Sequence, residues 1–484
     1  MNADPFAPCL LCPRACAVDR SRGETGFCGE TGDVRAACAC LHFGEEPPVT
    51  GPGGSGTVFF TGCTLRCRAC QNAQVSRDGF GAGLSVDGLA DVFLRLQREG
   101  AGNVNAVTGT HFLPWRGVEI SGRVTDTLPA GVTLAGDRGS HGAAGPLVFC
   151  DTLPEQRGLL SAGPDSRITG LQIRGPEPAI ADIGEYRRTS TMGISTSTNV
   201  EVDNCEISHF NHSGVNIRGK NVRVHHCFIH DVHAYPIVVA HKAELPTLIE
   251  ANLIHYAWHA IAGSGDPGTG YEARYNRVVA QVPPANWKMP APGHAFDMHA
   301  HRPLEKERKG RVAGDCISIH HNTAELLDAV GVFIRGVPRD RAEVFQNWFS
   351  TPDPATTIRQ IGQDGNLWAH DNVYGPDKKL IPLPLECRPR IRFQQPLLPA
   401  DPPPKVRGEV RLEIEISVYG PLQLQSVVVQ LDQQQIWSGQ QGPPPGEITV
   451  NTRELTNGEH KLAVTATDNR GVSSQHGAYL AVEN

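Results

Sequence analysis

Three thiols, Cys63, Cys67 and Cys70, stand at C-x3-C-x2-C spacing in "TGCTLRCRACQN", residues 61–72. A four-iron cube held by three protein thiolates leaves one iron open to another ligand, which suits catalysis rather than storage. A second group, Cys9, Cys12, Cys16 and Cys28 in "CLLCPRACAVDRSRGETGFC", offers four thiolates. These are enough to hold zinc tetrahedrally or to ligate an iron–sulfur cluster, and the bland alternative is a set of incidental free thiols. Cys38 and Cys40 are expected bystanders. Nine of the 14 cysteines fall within the first 70 residues, so the chemistry of the chain is divided from the start. The opening residues lack a basic segment followed by a long apolar one, and no later run approaches a membrane span. The expectation is a soluble, cytoplasmic chain, where clustered thiols serve as metal ligands rather than disulfides.

Elements must position those thiols. "GTVFF" reads as a strand, the thiols as a loop, "SVDGLADVFLRLQREG" as a helix and "NVNAVT" as a second strand, with Val86, Leu89, Val92, Phe93 and Leu96 at helical spacing. The result is a β-α-β start with the thiol loop after its first strand.

Three separated blocks, "CPRAC…GETGFC", "GEEPPVTGPGGSGTVFFTGCTLRCRACQN" and "REGAGNVNAVTGTHFLP", resemble the radical S-adenosylmethionine (SAM) proteins, specifically the group similar to pyruvate formate-lyase activating enzyme. The resemblance implies a [4Fe-4S] cluster on Cys63, Cys67 and Cys70, with SAM chelating the open iron and reductive cleavage giving a 5′-deoxyadenosyl radical. It ends near residue 113, before the later βα units that complete the family's SAM pocket, and Gly109 stands where the family favours Pro. Residues 1–113 are therefore expected to be a truncated fragment that carries the cluster motif but is catalytically incomplete.

From about residue 115 the composition turns to Gly, Asn, Val, Ile and His in short alternating runs. "VEVDNCEIS", "VRVHHCFIH", "TLIEANLIH", "EARYNRVVA", "ISIHHNTAE", "AEVFQNWFS" and "LWAHDNVYG" align. Cys205, Cys227, Asn252, Asn276, Asn322, Asn347 and Asn372 form one column, separated by 22, 25, 24, 46, 25 and 25 residues. Strands this short cannot bury a core alone, so the repeat predicts stacked coils, with the 46-residue step read as two turns. In a second column Val215/Ile217, Ile237/Val239, Phe296/Met298 and Val332/Ile334 point inward, and the alternate residues outward. The region 114–380 resembles the right-handed parallel β-helix of the pectate-lyase-like superfamily. On that reading the Asn column is an internal structural ladder.

Alternation then places Asn216, Arg218, Ser264, Asp297, His299 and Arg335 on one outer stripe. Fifteen of the 20 histidines lie between 209 and 370, most of them expected at turns. Polysaccharide enzymes of this fold work along such a groove. One acid, Asp297, beside His299 and two arginines favours anionic-sugar binding or elimination over two-carboxylate hydrolysis. Arg218, Asp297, His299 and Arg335 are the candidate catalytic residues: Asp297 orients His299 or holds a divalent cation, and an Arg is the candidate base. A metal on Asp297, His299 and His301 is one alternative, a solvated inert face the other.

Residues 381–407 are Pro-rich and read as a linker. Residues 408–484 alternate at period two and predict a small β-sandwich, in which "NGEHKLAVTATDNRGVSS" resembles bacterial immunoglobulin-like domains. The formal charge of -7 with 20% charged residues and no dense Lys/Arg run excludes an electrostatic surface for nucleic acid or anionic membranes. A fusion near residues 111–117 explains why a cytoplasmic type of cluster motif precedes modules of exported type. The function expected is an iron–sulfur fragment joined to a β-helix that binds or processes acidic polysaccharide. A SAM activase-like enzyme and a non-catalytic scaffold are the alternatives.

Overall fold

The computed structural model describes residues 6–12, 14–44, 50–112, 118–119, 126–139, 144–150, 158–183, 189–282, 293–301, 312–360, 366–381, 387–394, 403–443 and 447–484. Most of the expected junction, 113–117, lies outside these residues. The chain is mainly β and divides into two compact units. The first is Met1–Glu119 with Pro129–Phe149 and Ser166–Gln172; the second is Ile120–Leu128, Cys150–Asp165 and Ile173–Asn484.

In the first unit, four strands form a sheet in the order Ala82–Gly83, Arg35–His42, Ser55–Phe60, Asn103–Val107. Only the last pair is parallel. A parallel pair needs a crossover, supplied by the helix Val86–Arg98, whose start is capped by Ser85 Oγ accepting from the Gly88 N–H. The helix buries Leu89 and Leu96 against Val58, Phe60 and Phe112. Val86 departs from the expected apolar set: it is 79% exposed, because the first helical residue projects past the edge of that core. Cys38 and Cys40 are exposed on Arg35–His42.

The second unit contains a parallel β-helix. Its strands stack in three parallel columns. One runs through Gly158–Ala162, Met192–Ser195, His259–Gly263, His294–Met298 and Val330–Ile334. The second includes Gly270–Arg274, Cys316–His320, Arg341–Phe345 and Leu367–His370, and the third Glu206–Phe210, Phe228–Val232, Leu253–Tyr256 and Arg277–Ala280. The long strands Ser213–His225 and Tyr235–Glu250 bend through the first two columns. All eight residues expected to point inward, from Val215 to Ile334, are fully buried.

The corner between the second and third columns is the same in successive coils. One residue takes a left-handed conformation (His226, Ala251, Tyr275, His321, Gln346, Asp371; φ 52° to 55°), and the next is a buried Cys or Asn. That turn aims the Asn side chain along the axis. Asn252 Nδ2 donates to Asn276 Oδ1 at 2.9 Å, Asn276 to Asn322 at 3.0 Å, Asn322 to Asn347 at 2.9 Å and Asn347 to Asn372 at 2.9 Å. Cys227 continues the column, its N–H donating to Asn252 Oδ1. The 46-residue step is one coil, not two. Gly270–Arg274 pairs directly with Cys316–His320, and Asn276 bonds directly to Asn322.

The sandwich begins earlier than expected. Arg390–Phe393, inside the Pro-rich stretch, pairs with Ile414–Ser417 because its alternation buries Ile391 and Phe393 in the sandwich core. That core also takes Val427, Val429, Leu462, Val464 and Leu480 from the five-stranded sheet.

Candidate functional site

Within the second unit, Asp297 and His299 come from the strand His294–Met298 and the residue after it, and Arg335 follows the next strand up, Val330–Ile334. Strand register sets Asp297 beside Ala262 below and Phe333 above. Asp297 points away from the coil interior, as alternation requires, yet it is fully buried, which differs from a solvated stripe. Its cover is cationic and imidazole. Arg335 grips the carboxylate with both arms, Nε at 3.0 Å and Nη2 at 2.7 Å, and His299 Nε2 lies 2.9 Å from Oδ2. His259 and His294 each approach to 3.9 Å and stack on one another at 4.7 Å.

The electrostatics follow from this packing. Burial alone would raise the Asp297 pKa, but the His299 hydrogen bond and the surrounding positive groups hold it at about 2. Burial pushes His259 down to about 3 and His294 to about 4, so both rings are neutral fillers at neutral pH. His299 donates its Nε2–H to the ionised Asp297, so in the neutral ring the lone pair stands on Nδ1.

His299 lines a groove of about 530 Å³ with Arg218, His212, Tyr235, His241 and Ser264. The described lining residues include no carboxylate. Instead, acids stand behind two of the histidines: Asp266 pairs with His241 as Asp297 pairs with His299. Arg218 is exposed, and its guanidinium has no partner among the described residues. Asn216, also lining the groove, is buried with Oδ1 unpaired and its amide nitrogen 3.0 Å from Met192 Sδ, so one end of that amide lacks a partner.

The structure brings Asp297, His299 and Arg335 together, while Arg218 lies along the same groove without touching Asp297. His301 does not join a metal trio with Asp297 and His299; its Nδ1 pairs with Asp266 Oδ1 at 2.7 Å. The trio assembled is His259, Asp297 and His299, whose donor atoms lie within 4.8 Å of one another. Arg335 already occupies both carboxylate oxygens, so an ion there would displace a guanidinium. Sequence reasoning missed His259 and His294. The signal was present in "HAIAG" and "HAFDM", two His-Ala starts that coil stacking places one above the other.

In the first unit, Cys63, Cys67 and Cys70 follow Ser55–Phe60 on one loop, Cys67 exposed and the others half-buried. Their sulfurs accept hydrogen bonds, Cys63 from the Leu65 N–H at 3.4 Å and Cys70 from Ser76 Oγ at 3.3 Å. The Ser76 bond is the main reason the Cys70 thiol lies below its ordinary pKa. Donors directed at sulfurs on an accessible loop fit iron–sulfur ligation. In the other group, Cys9 and Cys28 are buried and Cys12 and Cys16 half-buried. Burial raises the Cys28 pKa, and the charges of Cys9 and Cys12 add to the rise.

No family model and no curated protein matches the chain. Among solved structures it is similar to the Dettilon tailspike protein at 11% identity, over 81% of this chain and 89% of that one, with a TM-score of 0.33. Geobacillus virus E2 ORF18 aligns at 10% identity over 75% and 67%, with a TM-score of 0.27. The fibronectin(III)-like modules of Clostridium thermocellum CbhA align at 16% identity over 20% of this chain and 47% of that one, with a TM-score of 0.16. At these TM-scores the likeness assigns nothing to the groove. No described helix is long and apolar enough to cross a membrane.

Proposed function

We propose that the β-helix, right-handed and of pectate-lyase-like type, binds an acidic polysaccharide along the groove of Arg218 and His299. The observation that carries this is a lining with three histidines, a buried amide whose oxygen is unpaired, a guanidinium with no partner among the described residues, and no carboxylate among the described lining residues. A free guanidinium takes a sugar carboxylate through paired charge-assisted bonds, and the orphan amide takes a hydroxyl. Arg335 is spent on Asp297, so the role of base passes from arginine to His299. Its Nδ1 takes the proton next to the uronate carboxylate, the carbon–hydrogen pair becomes a new double bond as the carbon–oxygen bond to the leaving sugar breaks, and the leaving oxygen takes that proton back from the His299 imidazolium.

Titrating polyuronates against the wild type and Arg218→Ala at low and moderate salt tests the binding. The variant is expected to bind about tenfold more weakly or worse, the loss of one charge-assisted contact. Equal binding by both proteins, or none, overturns the site. His299→Ala should keep binding and abolish any unsaturated product; binding without product in the wild type leaves a recognition scaffold.

The thiol loop carries a second, separate reading. Cys63, Cys67 and Cys70 would hold a [4Fe-4S] cluster, whose chemistry when bound is the reductive cleavage of SAM. The described residues offer two parallel strands and one crossover helix for a SAM pocket, so cluster binding without turnover is the expectation. Iron and sulfide without 5′-deoxyadenosine in anaerobic assays would agree, and 5′-deoxyadenosine would overturn the incomplete-site reading. The sandwich we read as an immunoglobulin-like spacer.

A further inference from the structure

Arg20 is 1% exposed, and among the described residues no carboxylate pairs with it. Its guanidinium donates to the backbone carbonyls of Glu30, Thr31 and His111 and lies 3.6 Å from Cys9 Sγ. A buried cation without an anion is costly, so something beside it should carry negative charge. Besides those carbonyls and the rings of Phe6 and Phe112, the group beside it that can carry charge is the Cys9 sulfur. Cys28 Sγ lies 4.0 Å from the same Glu30 carbonyl that Arg20 binds. A methyl built on Gly26 would stand 3.4 Å from Cys16 Sγ and 3.7 Å from Cys28 Sγ, which puts those two sulfurs on one side of the loop. Cys12 sits within the turn that Ala17 N–H closes on the Cys9 carbonyl.

The segment has little else to hold it. Among the described residues of 6–32 regular structure amounts to the single turn Arg20–Arg22 and the bridge Phe6–Cys9, and the core cluster of this unit draws on other residues. A loop-rich segment of this size needs a staple, and clustered thiols supply one through metal.

We propose that Cys9, Cys12, Cys16 and Cys28 ligate an iron–sulfur cluster of their own, with Arg20 as its buried counter-cation. A zinc ion draws four sulfurs to bonds of about 2.3 Å. Here no three of the thiols lie within 4.8 Å of one another among the described residues, farther apart than the roughly 4 Å that such bonds to one zinc impose. The site abuts the other thiol loop. Cys63 N–H donates to the Cys28 carbonyl at 3.4 Å, Arg14 Nε to the Thr64 carbonyl at 3.1 Å and Arg66 Nη1 to the Phe27 carbonyl at 3.3 Å.

The test is metal content and electron paramagnetic resonance of the full chain after anaerobic reconstitution with iron and sulfide. Three proteins are compared: the wild type, a Cys63→Ala/Cys67→Ala/Cys70→Ala variant and a Cys9→Ser/Cys12→Ser/Cys16→Ser/Cys28→Ser variant. The three-alanine variant should keep half the wild-type iron in equal ratio to sulfide, and the reduced wild type should show spin coupling that both variants lose. A three-alanine variant holding zinc, or no metal at all, overturns the proposal. Loss of iron from the four-serine variant alone does not count unless its circular dichroism matches the wild type, and the three-alanine variant decides the matter without disturbing this segment. Failure of the Cys63 loop to bind would leave the three-alanine result standing, so the two sites are judged separately.

Discussion

Asp297 is the residue on which the groove depends. Asparagine in its place would leave Arg335 without its anion and would turn one of the two acceptor oxygens that Arg335 and His299 share into an amide donor. Breaking such a pair costs about 3–5 kcal/mol when both partners are buried. Arg335 keeps 25% exposure, so Asp297→Asn should fall at the lower end, read as a reduced denaturation midpoint. Two linkages act in different pH windows. Folded Asp297 holds its proton less readily than the unfolded chain, so its stabilisation is complete above about pH 4 and is lost as pH falls toward 2. His259 and His294 stay neutral in the fold while the unfolded chain takes up protons below about pH 6.5. Stability should therefore fall as pH drops from there toward 4 and then 3. His259→Asn should make that slope shallower by up to about 1.4 kcal/mol per pH unit; melting curves between pH 7 and 4.5 that superimpose on the wild type would refute the assignment. "HAFDMHAH" showed the acid and its neighbour, because they share a strand. His259 came from 38 residues earlier, and only register could bring it in.

The element that repeats is the corner, and its two residues should answer substitution in opposite ways. Asn347 receives bonds from Asn322 and gives them to Ile319, Phe345 and Asn372. Asn347→Leu strands several buried groups at about 1–3 kcal/mol each, so a large drop in melting temperature is expected. Gln346, one residue before, is exposed at φ 52°, a conformation that costs a side chain of its type about 1–2 kcal/mol and Asn less. Gln346→Asn should raise stability by up to about 1 kcal/mol. A fall in both variants would contradict the corner geometry. This column was legible because one turn of fixed length recurs with one residue type. The 46-residue step was not, since spacing alone cannot separate two coils from one longer coil.

At the scale of the molecule, composition alone separated thiol-rich from Asn- and His-rich halves, because a metal loop and a stacked coil draw on different residues. What composition could not show was where compactness divides, since Pro129–Phe149 and Ser166–Gln172 group with the first unit. Coils bury their surface against neighbouring coils, so Cys63→Ala/Cys67→Ala/Cys70→Ala should leave the β-sheet melting transition of the long unit within about 2 °C of wild type. A shift of many degrees, followed by far-ultraviolet circular dichroism, would show that the coils depend on the loop.

The oversized coil between Asn276 and Asn322 has a practical consequence. Its two rungs meet at 3.0 Å although 46 residues separate them, so the stack reads contact at the corner and ignores contour length between corners. A foreign peptide spliced into the chain between those two rungs should therefore leave every rung in place, which makes this coil a position for a displayed epitope or an affinity handle.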